Sequence, residues 1–419
     1  METATTQTAS TRLSANPSIV QGYVAIALMY FAQGVPIGLA FNALGAIIRH
    51  GGHSVAAVGL TGLAFLPWAL KFLWAGPVEN ACTRWGMPRF LWTTQGMIVL
   101  SCLALVPFSP SISLYAVIAL IVLLNTLCAT QDIVTNAYAV LRFQGRHAGA
   151  ANAIQISGFI AGMLIGGGGL LQVYSALGWQ ASMLILAMLM AVIYLPLLFI
   201  PHWRNMAPTS AVRTQRVRLR DLREHRDLGW ALLLALSFKF AGTAVSTLAQ
   251  PWLLDKGFNL EQVGRLQMSN LVFVAIGGMS IGIALLRQFG SRRAVLVSMT
   301  LSGLLMGTAW ALQAIGSFSP LVMYAAFALQ SLFEGAMFVT IWALFMNWSS
   351  KDRPGTDFTV MQCCEGFGNA IAAGMIGGLG QAYGYGSAFA IAWASAAVIL
   401  LITAICLPRL RLAADSGVD

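Results

Sequence analysis

Long apolar blocks separated by brief polar interruptions run the length of this chain, and the blocks share a common size. A bilayer core of about 30 Å requires about 20 apolar residues of helix. That ruler divides the sequence into twelve spans, 22–44, 54–74, 91–108, 112–138, 148–172 and 180–201, then 229–250, 263–286, 294–315, 319–347, 357–381 and 385–407. Connections such as Ser109–Ser113, Val173–Trp179, Gly316–Ser319 and Ala382–Gly386 are so short that the helices they join must be antiparallel neighbours. One interruption differs in kind. The 27 residues His202–Leu228 hold seven arginines (Arg204, Arg213, Arg216, Arg218, Arg220, Arg223, Arg226) against Asp221, Glu224 and Asp227. A nucleic-acid surface needs a soluble domain to carry it, and apolar blocks flank this run on both sides. The pattern predicts an all-α membrane protein: a tail over 1–21, a six-helix bundle over 22–201, a basic linker over 202–228, a second six-helix bundle over 229–407 and a tail over 408–419.

Composition agrees. Of the 419 residues 58% are hydrophobic and only 9% charged, where soluble domains run near 25% charged. The net charge of +10 therefore bears on orientation. With the N-terminus inside, 19 of the 24 basic residues fall on the cytoplasmic side, and only Arg49, Lys256 and Arg265 lie outside, as the positive-inside rule requires. Both termini are expected in the cytoplasm. The first twenty residues lack the basic start and cleavage site of a signal peptide, so the first apolar helix is expected to remain. The six cysteines show no metal-ligand spacing, and no metal or cofactor is expected.

The halves resemble one another. Gly76-Pro-Val-Glu79-Asn-Ala-Cys-Thr-Arg84-Trp-Gly86-Met-Pro-Arg89 after span two parallels Gly282-Ile-Ala-Leu-Leu-Arg287-Gln-Phe-Gly290-Ser-Arg292-Arg293 after span eight. Ala161-Gly162-Met163 with Gly166–Gly169 parallels Ala373-Gly374-Met375 with Gly377 and Gly378. Together with the long basic central loop, this six-plus-six pattern resembles the major facilitator superfamily. The departure is Glu79-Asn80, where that family usually has an acidic-basic pair.

Enzyme readings find little to rest on. A P-loop needs Gly before Lys, and the four lysines follow Leu70, Phe238, Asp255 and Ser350. HExxH is absent. Solute translocation remains, and its candidate residues are polar groups stranded in apolar spans, where a central charge costs roughly 2.5–3.5 kcal/mol and calls for a partner or a wet cavity. Lys239, Glu334 and Glu365 meet that description; a buried ion pair of Lys239 with either acid is the bland alternative. Lys71 and Asp132 sit toward the cytoplasmic ends of spans two and four, where Asp132 would pair with Lys71 or Arg142. Gly34-Val-Pro36 loosens span one near mid-membrane. Substrate contacts are expected from Tyr30, Gln33, Gln155, Lys239, Gln250, Glu334 and Trp342, in a cavity whose other polar and aromatic candidates include Asn136, Asn152, Asn270, Asn369, Trp68, Trp74, Tyr138 and Trp252. Proton coupling is expected from Glu334, Glu365 and Asp132. Gating or structural roles fall to Gly34, Pro36, Lys71, Glu79, Arg84, Arg142 and Arg287.

Three stretches narrow the resemblance: Tyr30-Phe-Ala-Gln33-Gly34-Val-Pro36, Leu66-Pro67-Trp-Ala-Leu-Lys71-Phe-Leu-Trp74-Ala-Gly-Pro77 and Gln131-Asp132-Ile-Val-Thr-Asn136-Ala-Tyr138. They resemble the AmpG-like branch, which holds muropeptide permeases and siderophore importers. Arg353-Pro-Gly355-Thr356-Asp357-Phe-Thr359-Val-Met-Gln362 looks closer to the RhtX/FptX siderophore importers. The resemblance implies proton-driven import of a siderophore or its ferric complex across a bacterial inner membrane by a monomer, with no nucleic-acid partner. A muropeptide permease or an efflux pump is the alternative within transport. A membrane sensor or scaffold is the alternative outside it.

Overall fold

The computed structural model describes residues 17–200, 216–316 and 319–412. Seven helices are long and apolar enough to cross a membrane, and the bent pair Ala56–Leu70 with Phe72–Trp85, angled by 56°, makes an eighth span. Three of the seven (Ala148–Phe199, Glu261–Ile315, Pro354–Arg409) are 52, 55 and 56 residues long. At 1.5 Å per residue each would reach about 80 Å if straight, far more than a bilayer core. Each is broken by one glycine: Gly178 (φ 76°, ψ −175°), Gly290 (φ 71°, ψ 171°) or Gly384 (φ 76°, ψ 167°). That backbone region is essentially closed to residues with a Cβ, and each long stretch is two spans. Met87–Ala104, set off by Gly86 (φ 84°, ψ 139°), completes twelve among the described residues.

The spans are α1 (17–50), α2 (55–85), α3 (87–104), α4 (110–143), α5 (148–177), α6 (179–199), α7 (228–255), α8 (260–289), α9 (291–315), α10 (320–348), α11 (354–383) and α12 (385–406). Gly86 and Gly290 take equivalent places in the two halves, as do Gly178 and Gly384, so the repeat inferred from sequence extends to the turns. Several helices outrun their predicted bounds. Gly76–Trp85, read as a loop, continues α2, and α3 starts at Met87. The apolar ruler measures lipid thickness, while a helix can continue past the lipid into polar surroundings.

Pro36 does not break α1. The segment Pro17–Gly38 stays α-helical, and the irregularity comes just after it, as a π turn at Leu39–Ala43. Two further π turns lie in α5 (Ile165–Gly169) and α8 (Gly278–Gly282). The tightest helix contacts rest on missing side chains: a Cβ on Gly166 would lie 1.9 Å from the Val35 carbonyl oxygen, and one on Gly277 would lie 1.8 Å from that of Leu332. These contacts join α5 to α1 and α8 to α10.

Arg204 and Arg213 of the linker lie outside the described residues. From Arg216 onward the linker is docked rather than a free solvated strap. Val217 exchanges two 2.9 Å hydrogen bonds with the Asn80 side chain, and Leu219–Glu224 forms a 3₁₀ helix. The end of the molecule that carries it is called the linker face below.

A candidate solute cavity between the two bundles

A cavity of about 640 Å³ lies between the bundles and takes its walls from both. The linker face beneath it is shut by polar contacts between the bundles. Gln144 of the α4–α5 turn donates to the carbonyls of Met346 (3.1 Å) and Ser349 (2.7 Å). The Gly145 amide donates to Asn347 Oδ1 at 2.7 Å. Glu79 Oε2 accepts from the Thr356 amide (2.9 Å) and hydroxyl (2.7 Å) at the start of α11. The docked linker adds to this. Arg353 donates to the Asp221 carbonyl and, at 2.7 Å, to Glu224. His225 meets Asp357 at 2.8 Å and stacks on Trp348 at 4.3 Å between centroids.

Toward this closed end the cavity lining is buried: Gln155, Trp342, Phe358, Asp132 and Lys71. Toward the other end Phe41, Phe65, Ser246, Gln250 and Gln267 are exposed. The cavity therefore opens away from the linker.

Two ion pairs face it, one per bundle. In the first, Lys71 Nζ donates to Asp132, and both side chains are almost completely buried. Lys71 stands at the break in α2 and Asp132 well inside α4, and the pair lines the buried end of the cavity. Arg142, the other partner considered for Asp132, instead donates to Ser18 at the start of α1. In the second bundle Lys239, at the break in α7, lies 3.7 Å from Glu365 and 4.6 Å above the Phe338 ring. Asn369 donates to Glu365 at 3.2 Å. Glu334 also lines the cavity, half-buried, and receives no hydrogen bond or ion pair among the described residues.

Tyr30, Gln155, Gln250 and Trp342 also stand in the lining. Gln33 does not: it is fully buried and donates to Thr135 at 3.0 Å, because its face of α1 packs on α4. Gly34 packs on Phe159 and Gly162 of α5, and Arg84 and Arg287 are exposed in the last turns of α2 and α8. Trp74, Tyr138 and Trp252 are packing residues; Trp252 donates to Gln313 at 2.6 Å and stacks edge-on against Phe389. Sequence reasoning passed over the aromatic lining of Phe41, Phe65, Phe159, Phe338 and Phe358, which in an apolar chain carries no distinguishing signal. No group of three or more His, Cys, Asp or Glu side chains suited to a metal occurs among the described residues.

Comparison with known proteins bears on this arrangement. The anhydromuropeptide permease of Escherichia coli K12 is 25% identical over 386 residues, 90% of this chain and 78% of that protein. A putative transporter AmpG 4 of Rickettsia felis is 24% identical over 62% of this chain and 66% of its own length. Among solved structures, a bacterial homologue of the iron transporter ferroportin in an outward-facing state superposes with a TM-score of 0.72 at 14% identity, covering 94% of this chain and all of that one. The E. coli fucose:proton symporter superposes at 0.68 and 15% identity, covering 93% and 99%. At such identities the structures establish the fold alone. The Major Facilitator Superfamily matches residues 25–287 and again 243–416, two overlapping stretches that together run through both bundles, and the chain belongs to that family.

Proposed function

We propose that this chain is a proton-coupled secondary transporter of the bacterial inner membrane that imports a bulky amphipathic solute bearing an anionic group. The observation that carries this reading is the grouping of Lys239, Glu365 and the unpartnered Glu334 in a cavity between the bundles. The lysine offers an anion site in surroundings that strengthen it. Glu334 offers a carboxylate that can load and release a proton without first breaking an ion pair. The basic linker on the closed face supports solute access from the periplasm, by the positive-inside argument.

A peptidoglycan fragment of the anhydromuropeptide type is the preferred solute. The relative that aligns over 90% of this chain transports that class by name, and the cavity joins amide side chains (Gln155, Gln250, Gln267) to aromatic and aliphatic ones. A siderophore or its ferric complex is the second reading, favoured by the Arg353–Gln362 stretch. Most polar residues of that stretch are engaged in closing the linker face, since Arg353, Thr356 and Asp357 all bond there.

The test is uptake by a deletion strain carrying the gene on a plasmid, supplied with labelled anhydromuropeptide or with radio-iron siderophores. Accumulation of the muropeptide that collapses with a protonophore is expected; accumulation of iron alone selects the second reading, and accumulation of neither overturns both. Glu334→Gln should abolish accumulation against a gradient while leaving solute exchange intact. Lys239→Ala should weaken apparent affinity about tenfold, the scale of one hydrogen bond to a charged group. Unchanged gradient dependence in the first variant, or unchanged affinity in the second, removes the role assigned to that residue.

A further inference from the structure

The two ion pairs of the cavity belong to different bundles, yet a single helix touches both. On α11 Glu365 faces Lys239 of its own bundle. Three residues earlier, on the neighbouring position of the same helical face, Gln362 crosses to the other bundle. Its Oε1 accepts from Lys71 Nζ at 2.6 Å and from Asn136 Nδ2 at 2.9 Å, and its Nε2 lies 3.4 Å from Asn136 Oδ1. Asn136 also donates to Asp132 at 2.8 Å and accepts from the Tyr30 hydroxyl. The Gln362 carboxamide, with the Thr359 hydroxyl that lies 3.4 Å from Asn136 Nδ2, is thus set from the second bundle into a polar cluster built otherwise from the first, at the buried end of the cavity.

The backbones are close there as well. A Cβ on Gly355 of α11 would lie 2.9 Å from the Ile133 carbonyl of α4. Opening the linker face requires α4 and α11 to part, and parting breaks every bond that Gln362 makes to Lys71 and Asn136. Bonds to an ionised donor in a desolvated site are about twice as strong as neutral ones, so this side chain weighs on the balance between the two states.

We propose that Gln362 is an interbundle lock: it holds the linker face shut by accepting from Lys71 and Asn136, and its release accompanies opening of that face. It is a positioning residue, and its place in a transport cycle rests on the function proposed above. The reporter is a cysteine at Ser349, which is buried on the closed face with its carbonyl bonded to Gln144. Alkylation of Ser349→Cys by a membrane-impermeant maleimide, in nanodiscs and without solute, reads the fraction of open molecules.

Gln362→Met, which keeps the length and loses the acceptor, should raise the alkylation rate about tenfold, the equivalent of about 1.4 kcal/mol. Gln362→Asn, one carbon too short to reach, should do likewise and serves if the Met variant fails to fold. Gln362→Glu keeps an acceptor oxygen at the same reach and should alkylate no faster than the parent. In uptake assays Gln362→Met should raise KM for far-face solute, because fewer molecules present that cavity, and leave the maximal rate in place. A rate within twofold of the parent for both Met and Asn, or a Glu variant as fast as Met, overturns the lock. The alkylation arm needs no solute. Loss of all uptake with the expected alkylation pattern therefore counts against the transport reading and leaves the lock standing.

Discussion

Lys71 and Asp132 neutralise each other almost without solvent, and at residue scale such a pair is costly to break and cheap to replace. Removing one partner leaves a buried charge and typically costs about 3–5 kcal/mol, whereas removing both charges together is often close to neutral. Lys71→Met should therefore lower the thermal stability of the purified protein sharply, and Lys71→Met combined with Asp132→Asn should regain most of the loss without regaining uptake. Fluorescence-detected size-exclusion after heating measures both; a double variant no more stable than the single one would mean that the pair is not what holds this site. The charged members of the site were legible in the sequence because each interrupts an apolar run. Which partner Asp132 takes was not, since Lys71 and Arg142 both lay within reach until the break in α2 brought Lys71 into the cavity. Neutral amides were harder still. Gln33 and Gln362 are the same residue type in similar surroundings, yet one is spent inside its own bundle on Thr135 and the other bridges two bundles.

At the scale of elements, glycine sets how closely helices approach, and position along the helix decides whether it matters. Gly277 of α8 leaves no space for a methyl group beside the Leu332 carbonyl, while Gly374 of α11 meets nothing within 4 Å. Gly277→Ala should force α8 and α10 apart and destabilise the protein on the 1–3 kcal/mol scale usual for overpacking, about the cost of a damaged core. Gly374→Ala should leave the thermal midpoint unchanged or slightly raised, since alanine is the better helix former. Equal midpoints for the two variants would show that the α8–α10 approach is not limiting. The twelve spans and the two-fold repeat were legible because lipid imposes a length and an apolar composition on each helix. The glycine runs of spans five and eleven also looked equivalent in sequence. They are not: Gly166 touches the Val35 backbone, and Gly377 and Gly378 face open space. Composition records that a helix can be approached closely, and only the packing decides which side is used.

For the molecule as a whole, alternating access is a balance between two ways of pressing the bundles together, and the linker face shows what holds one of them. Glu79 of α2 is buried and places its carboxylate at the first turn of α11, taking both the amide and the hydroxyl of Thr356. A negative charge at a helix N-terminus is favourable by up to about 2 kcal/mol in partly buried geometry, and here the helix and the charge belong to opposite bundles. The neighbouring Asn80, which stands where an acidic-basic pair was anticipated, is bonded to Val217 of the linker instead. The contact between bundles thus depends on the Glu79 carboxylate and on the buried helix start it meets. Glu79→Gln preserves shape and one acceptor but removes that charge, so it should open the linker face about tenfold, read as faster alkylation of Ser349→Cys. Thr356→Val removes the hydroxyl and leaves the amide and the charge, and should accelerate alkylation less. The reverse order would place the closure in the hydroxyl bond rather than in the field at the start of α11. No change in either variant would move the determinant of closure to the docked linker, where Arg353, His225 and Asp357 meet.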